Sequence, residues 1–396
     1  MPASASSPIR AAADHLVDLG LSDPIDVAPR LREVLAAVVD PRARRGVRHP
    51  LVVVLCAAVC AVAAGAQSYV AIAEWVADLP DHAAAALGLG RRCPCESTIR
   101  RVVQRLDGDR FDAAISTWIQ QRSAACTPAG RRRAVAVDGK ALRGARTADG
   151  QQHLLAVIDH HTRVVLGQDG IDAKTSEITA FAPLLDTIDA LAEVVVTADA
   201  LHTQREHVSY LHERGAHWVL TVKGNQPTLR RQLAALPWRA LPVDHRQAET
   251  SHGRREIRTI KAVTIAAGIL FPHAAQAIQL VRRSRPASRR GHQRGRWHTE
   301  TVYAITDLRP HQARPAELAA WLRGHWQIEN GLHWVRDVTF AEDHSQVRTG
   351  AGPQVMASLR NLVISILRLT GTTNIAAALR RNARNSSRPL MAIGVT

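Results

Sequence analysis

Two apolar runs that each end in an aspartate constrain the fold of this chain more than any other feature. The first run, AVAVD, ends at Asp138, and the second, EVVVTAD, ends at Asp199. Short runs of this kind, rich in β-branched residues, predict buried strands. If the two strands are parallel neighbours, their terminal carboxylates meet at one edge of a sheet. The alternative is that each aspartate only begins a turn, which is a common role for this residue.

The segments around these runs predict a mixed sheet. HLLAVIDHHTRVVLGQDGI reads as two strands, KTSEITAFAPLLDTIDAL as a helix and GAHWVLTVKGNQP as a further strand. This order predicts an α/β core, α+β overall. By pattern the chain divides into a helical region over 1–128, a stretch of strands and helix over 129–236, a β-rich stretch over 237–310, a helical stretch over 311–372 and a frayed basic tail over 373–396.

The first 128 residues have helical periodicity. Their most apolar stretch, residues 51–66, is shorter than the roughly 20 residues that span a bilayer, so we predict a buried helix and a cytoplasmic protein without membrane association. In ESTIRRVVQRLD, apolar residues follow one helical face while Arg100 and Arg101 lie on the other. This pattern fits the second helix of a helix-turn-helix that binds DNA, and it fits equally an amphipathic helix with a solvated basic face.

The charge balance favours a polyanionic partner. Lys plus Arg is 51 and Asp plus Glu is 35, which gives a net charge of +16, and only four of the cations are lysines. A small acidic metabolite does not explain this excess, whereas nucleic acid or an anionic membrane surface does. A GC-rich coding bias toward arginine accounts for part of it. The five cysteines, an odd and low number, fit a reducing compartment.

A third carboxylate of interest lies in the apolar helical segment HWQIENGLHW. Helical spacing places Glu329 on the face of Leu318, Leu322, His325, Leu332 and Arg336. A glutamate on an apolar face is costly unless it is paired or binds a metal ion. The alternatives are a salt bridge to Arg336 or Arg323, and three rival acids follow in sequence: Asp337, Glu342 and Asp343. Three carboxylates suit Mg²⁺ or Mn²⁺, and a pair of such ions supports in-line displacement at phosphorus.

Several longer motifs extend this pattern over most of the chain. They are DPRARRGVRHPL, GAQSYVAIAEW, STIRRVVQRL, AVDGKALRGA, TADALHTQ, TVKGNQP, TETVYAITDL and HWQIENGLHWVRDVTFAED. With these motifs the chain resembles, over about residues 25–370, the ISAs1-type insertion-sequence transposases of the IS4-like DDE group.

The resemblance implies a fold, a site and a reaction. The fold would be an RNase H-like core with a β insertion before the glutamate. Asp138, Asp199 and Glu329 would be both the catalytic residues and the ligands of two Mg²⁺ or Mn²⁺ ions. The chain would act as a nucleoid-associated homodimer. It would bind terminal inverted repeats through its helical region, cleave DNA and join the freed 3′ end to target DNA.

On the glutamate helix the chain departs from the Tyr, Arg, Glu, Lys pattern of IS4-like transposases. Leu322 stands in place of Tyr, His325 in place of Arg and Arg336 in place of Lys. Arg336 can still bind a phosphate. Trp297 could stack on a flipped base or simply pack, and His202 could contact a phosphate or lie in a turn. The other predicted DNA contacts are Lys140, Arg143, Lys223, Asn225, His252, Arg254, Arg255 and His325.

Two other functions compete with transposition. One is a catalytically inactive, domesticated DNA-binding protein that has kept the fold and the charge. The other is an RNase H-like nuclease or resolvase, which would cleave DNA without joining it.

Overall fold

The computed structural model of the chain describes residues 30–395, except 46, 125, 127–129, 148–149, 172–175, 252, 267 and 287–295. His252, one of the predicted DNA contacts, therefore lies outside the described residues.

A single mixed sheet of nine strands, in the order β3-β2-β1-β4-β5-β9-β8-β7-β6, organises the described part of the chain. β2 is antiparallel to both β1 and β3, whereas β1, β4 and β5 are parallel. This 3-2-1-4-5 order, with only the second strand reversed, is the RNase H-like arrangement that the resemblance predicted. The first five strands are β1 (Ala134–Thr147), β2 (Gly150–Asp159), β3 (Val165–Ile171), β4 (Val195–Ala198) and β5 (His217–Val222).

The β-rich segment predicted as an insertion is built onto the same sheet. Its strands are β6 (His245–Ser251), β7 (Arg254–Thr264), β8 (Gln276–Pro286) and β9 (His298–Thr306). The last of these, β9, pairs antiparallel with β5, with Val219 opposite Thr306. The core sheet therefore continues without a break into the inserted strands.

The predicted helical character of the N-terminal region is confirmed over its described residues. The helices there are α1 (Leu31–Ala36), α2 (Leu51–Ala63), α3 (Tyr69–Ala77), α4 (Asp81–Leu87), α5 (Glu96–Arg105) and α6 (Gly108–Ala124). All but one of the residues of α2 are buried, which confirms the prediction of a core helix. Within the described residues, no helix is long and apolar enough to span a bilayer.

The remaining helices cover the sheet and complete the helical region. They are α7 (Glu177–Asp186), α8 (Arg205–Glu213), α9 (Pro227–Ala234), α10 (Pro315–Ile328), α11 (Gly352–Leu369), α12 (Ile375–Ala383) and α13 (Ser387–Ala392). A buried polar network joins α6, β3 and α11: Gln168 donates to Asp112 at 2.9 Å and to Ser358 at 2.9 Å, and Gln354 donates to Asp112 at 3.0 Å. Specific hydrogen bonds therefore set the register between the helical region and the sheet.

The prediction of a frayed tail over 373–396 is wrong. Ile375, Leu379 and Leu390, which lie on the last two helices, are buried, and Asn382 donates a hydrogen bond of 2.9 Å to the carbonyl of Ala63 at the end of α2. The apolar residues recur at helical spacing, and their burial outweighs the basic character of the segment.

Candidate active site

Asp138 and Asp199 lie in matching positions on neighbouring parallel strands, although β1 does not end at Asp138 as predicted but continues along β2 to Thr147. Val137 of β1 is in register with Ala198 of β4, so Asp138 and Asp199 each follow the last paired residue. Asp138 Oδ1 accepts the N–H of Gly139 at 3.0 Å, and Asp199 Oδ1 accepts the N–H of Leu201 at 2.9 Å. The turn alternative holds for Asp199, which caps the short 3-10 turn Ala200–His202, and not for Asp138, which lies inside β1 opposite Ala156 of β2.

Other carboxylates surround Asp138. Burial, together with the negative charges of Asp199, Glu329 and Glu177, raises the pKa of Asp138 to about 7, against one lowering hydrogen bond from Gly139. The Asp138 carboxyl thus interacts with three acidic side chains, and the Asp138 side chain is 22% exposed. Such a concentration of carboxylates stores repulsion that a bound cation would relieve.

Glu329 lies where the helix changes its hydrogen bonding. After α10, residues Glu329–His333 and Val335–Thr339 form π-helical turns, in which the N–H of Trp334 bonds to the carbonyl of Glu329. A π turn is wider than an α turn, so it shifts the side chains that follow relative to the α-helical spacing. Glu329 stays exposed, whereas Arg336, expected on the same face, turns into the core.

The alternatives for Glu329 do not hold in the described residues. Arg323 pairs with Glu249 at 2.7 Å, and Arg336 pairs with Glu342 at 2.7 Å, so neither guanidinium forms the predicted salt bridge. The three rival acids each have a cation of their own. Lys140 pairs with Asp337 at 2.5 Å, Arg143 with Asp343 at 3.3 Å, and both Arg336 and Arg360 with Glu342. Glu329 has no ion-pair partner among the described side chains.

Glu177 is an acidic residue of this site that the sequence analysis missed. It begins α7, its charge acts on Asp138, and its carboxylate lies where a side chain on Gly139 would begin. His153 Nδ1 on β2 lies 3.4 Å from Glu177 Oε1. The sequence carried one signal for this contact: Gly139 lies inside β1, and a glycine within a strand often marks a close approach.

Two buried histidines, His202 and His325, and the partly buried His333 line the site and are held in the neutral form. Burial lowers the pKa of His202 and of His325 to about 4, and that of His333 to about 3. His333 Nδ1 lies 3.7 Å from Asp138 Oδ2. In the described structure neither ring nitrogen of His202 has a hydrogen-bond partner. The phosphate contacts predicted for His202 and His325 stay predictions, and a neutral imidazole would make them through its N–H group and not through a charge.

The phosphate contact predicted for Arg336 is not supported. Its side chain is 1% exposed and binds Glu342 through Nε and Nη2, while Arg360 binds the same carboxylate at 2.9 Å. Lys140 is likewise buried, on Asp337. These cations brace the segment after Glu329 instead of facing solvent.

The turn after β5 lies next to the turn after β4. The amide of Asn225 donates to the carbonyl of Ala200, next to Asp199, so Asn225 holds the loop where a DNA contact was predicted. Lys223 is exposed, and its charge contributes to the lowered pKa of His325. Lys223 is therefore available to a phosphate beside the site, and so is the largely exposed Arg143.

The remaining predicted contacts lie away from the carboxylates. Trp297 has the guanidinium groups of Arg283 and Arg285 over its ring, at 5.0 and 4.6 Å from the centroid. Arg254 and Arg255 are exposed at the start of β7. In the helical region, Arg100 pairs with Glu96 of its own helix at 2.9 Å, whereas Arg101 is exposed.

The donor set of this site fits a hard divalent cation, since Asp138, Asp199, Glu329 and Glu177 offer carboxylate oxygens. Among the residues that the structure describes, no three His, Cys, Asp or Glu side chains are arranged to hold one ion. The fit therefore rests on the chemistry of the donors and on the raised pKa of Asp138.

Comparison with known families assigns the chain. The family model described as "Transposase DDE domain" matches residues 129–366, and a second model, described as "DDE_Tnp_1-associated", matches residues 32–119. The chain belongs to the transposase DDE-domain family. The matched DDE domain contains the nine-stranded sheet with Asp138, Asp199 and Glu329, and the associated region contains α2 to α5. At the level of this family the chain is a DDE transposase, a class of enzyme that cleaves and joins DNA.

Relatives of this DDE transposase include "Putative transposase YncI" of Escherichia coli O157:H7, 27% identical over 85% of this chain and 87% of the relative. "H repeat-associated putative transposase YhhI" of Escherichia coli K12 is 26% identical over 90% and 95% of the two chains. A solved structure of piggyBac transposase in a synaptic complex with hairpin DNA aligns with 91% of this chain and 76% of its own, with a TM-score of 0.40 and 10% identity.

Proposed function

We propose that this DDE transposase is an ISAs1-type enzyme that binds the terminal inverted repeats of an insertion sequence, cleaves DNA there and joins the freed 3′ end to target DNA. The observation that carries the proposal is that Asp138 and Asp199 each follow the last paired residues of the parallel strands β1 and β4, with Glu329 close enough to act on Asp138. No other acid on the segment after α10 is without a cation among the described residues.

The proposed roles follow from these positions. Asp138, Asp199 and Glu329 would hold Mg²⁺ or Mn²⁺, two ions per site, and bound ions of this kind activate a water or a 3′-hydroxyl and stabilise the leaving oxygen. Asp138 and Asp199 have fixed carboxylates because the backbone N–H groups of Gly139 and Leu201 hold one oxygen of each. Lys223 and Arg143 would bind phosphates on either side of the scissile bond.

The test compares wild type with Glu329→Gln on duplex DNA that carries the ends of the element, with Mg²⁺ or Mn²⁺. The amide keeps the shape of the side chain and removes its charge, so we expect DNA binding without cleavage or joining. Asp343→Asn is the matched control, because this acid follows on the same segment and pairs with Arg143. It should cleave as wild type does.

Three results would contradict the proposal. Cleavage by Glu329→Gln would exclude Glu329 from the site. Binding of the ends by wild type without any cleavage would favour an inactive DNA-binding protein. Nicking that never yields joined products would indicate a nuclease or resolvase.

We also propose a homodimer, since the joining of two element ends requires two active sites. Light scattering on the purified chain, alone and with duplex ends, measures the mass directly. A complex that carries one chain per two ends would overturn this part of the proposal.

A further inference from the structure

A cationic groove lies in the helical region, away from the carboxylates. Its volume is about 660 Å³, and its walls come from three places: the loop of Arg42 and Arg48, the connection of Arg91 and Arg92, and the first turns of α5 with Arg101. The loop of Arg42 and Arg48 is distant in sequence from the other two segments, so the groove exists only in the folded chain. We call it the α5 groove.

Most of the arginines in the α5 groove have no acidic partner. Arg42 is the exception: it pairs with Asp40 at 2.7 Å and donates to the carbonyl of His49 at 2.8 Å, which fixes the loop. The other four are Arg48, Arg91, Arg92 and Arg101. All four are exposed, and none forms an ion pair with any described carboxylate.

The groove therefore concentrates positive charge. The neighbouring imidazole of His49 is affected by this charge: burial lowers the pKa of His49, and the positive charges of Arg42 and Arg48 lower it further. Arg100, by contrast, is neutralised by Glu96 one turn away on α5. Arg100 and Arg101 were predicted on one basic face, yet only Arg101 lacks an ion pair with a described carboxylate.

The α5 groove is also rigidly connected to the catalytic part of the chain. The carbonyl of Gln104, on the last turn of α5, accepts the N–H of Ala351 at 3.1 Å, just before α11 begins. At Gly350, whose φ of +56° disfavours other residues, an added Cβ would collide with the same carbonyl. A ligand held in the groove is therefore kept at a fixed position relative to the core.

We propose that the α5 groove binds the phosphate backbone of duplex DNA and is the surface by which the helical region holds the element ends. This proposal rests on the proposed function. Arginine suits the role because its planar guanidinium makes two hydrogen bonds to one phosphate. Four unneutralised guanidinium groups in one groove can each contact a phosphate of a duplex backbone.

The first test measures DNA binding without divalent cations, so that catalysis plays no part. The groove variant is Arg91→Gln/Arg92→Gln, and the matched control is Arg100→Gln/Arg105→Gln, which removes the same charge from α5 outside the groove lining. On a fluorescein-labelled duplex we expect the groove variant to bind at least about tenfold more weakly. The slope of log K against log salt should also be shallower by about 2 for the groove variant, because each lost phosphate contact removes about 0.9 from the slope.

The second test uses a cysteine as a reporter. Cys95 lines the groove and is exposed, and its Sγ lies 3.3 Å from Ser97 Oγ and 3.4 Å from Thr98 Oγ1, contacts that lower its pKa to about 7. Bound duplex DNA should slow its alkylation by iodoacetamide at least about fivefold, as expected for a backbone contact. Cys126 is exposed outside the groove lining and is the internal control.

The outcomes separate this inference from the proposed function. Equal affinities for the two double variants, or alkylation of Cys95 at one rate with and without DNA, would overturn the groove assignment even if Glu329→Gln abolishes cleavage. Loss of binding with normal unfolding curves, together with protection of Cys95, would support it even if no DNA is cut. Circular dichroism melts of both double variants identify any loss of folding. The alkylation of Cys95 is measured on the wild-type chain, so its result does not depend on the variants.

Discussion

The carboxylate of Glu177 occupies the space that a side chain on Gly139 would enter. This relationship joins the start of α7 to the interior of β1, one residue beyond Asp138. Through this contact Glu177, which is distant in sequence from Gly139, adds a fourth acidic group to the site. Gly139 is required there by close approach, since its backbone is not in the left-handed region.

Gly139→Ala tests this close approach. The new methyl group displaces the Glu177 carboxylate, a flexible side chain, so we expect little change in melting temperature and a fall of about tenfold in the rate of DNA cleavage, equivalent to about 1.4 kcal/mol. In a Glu177→Ala background the same substitution should have no further effect, since the displaced group is gone. Equal losses from Gly139→Ala in both backgrounds would show that Glu177 is not the group displaced.

Glu342→Gln should destabilise the chain strongly. Glu342 is buried and neutralises both Arg336 and Arg360, and the amide leaves two buried guanidinium groups without an anion. We expect a loss of about 3–5 kcal/mol in the free energy of unfolding by urea. The control Asp343→Asn removes the next acid along the chain, paired with the largely exposed Arg143, and should cost less than about 1 kcal/mol. Similar costs for the two variants would contradict this reading of the Glu342 cluster.

Asp112 should make stability fall as the pH rises. Burial raises its pKa to about 7, well above the value near 4 of an unfolded chain. Between these values the folded state holds one more proton than the unfolded state, so stability is greatest below pH 4 and is lost as the pH rises to 7. From pH 5 to pH 8 we expect a loss on the order of 2 kcal/mol from this residue.

Asp112→Asn isolates that contribution, because Asp138 titrates in the same range. Urea unfolding at pH 5 and pH 8 should show a smaller difference for this variant than for wild type. The exposed Asp78→Asn should behave as wild type. An unchanged pH dependence in Asp112→Asn would refute the role of Asp112.

Divalent cation binding should strengthen as the pH rises toward 7. Asp138 has a pKa of about 7, and a carboxyl must lose its proton before it can bind a metal ion. Calorimetric titration with Mn²⁺ should show affinity that rises by about tenfold per pH unit below 7 and levels off above it. Asp138→Asn should bind weakly at every pH. A pH-independent affinity in wild type would exclude Asp138 as a ligand.

Local sequence pattern predicted much of the framework. The strand segments that lead to Asp138 and Asp199, the buried helix α2 and the helices described between residues 31 and 124 all depend on the periodicity of neighbouring residues, which the sequence displays directly. The motifs around Glu329 identified the family and selected that residue over its rivals. The positive charge also follows from composition alone.

Only the tertiary structure decided how the site is assembled. The pairing of β5 with β9, the approach of Glu177 to Gly139 and the arginines of the α5 groove all join residues that are distant in sequence. Helical periodicity placed Arg336 beside Glu329, yet π-helical turns and the buried carboxylate of Glu342 draw it into the core. Such outcomes depend on which long-range partner satisfies each charge and hydrogen bond, and local periodicity carries no information about that choice.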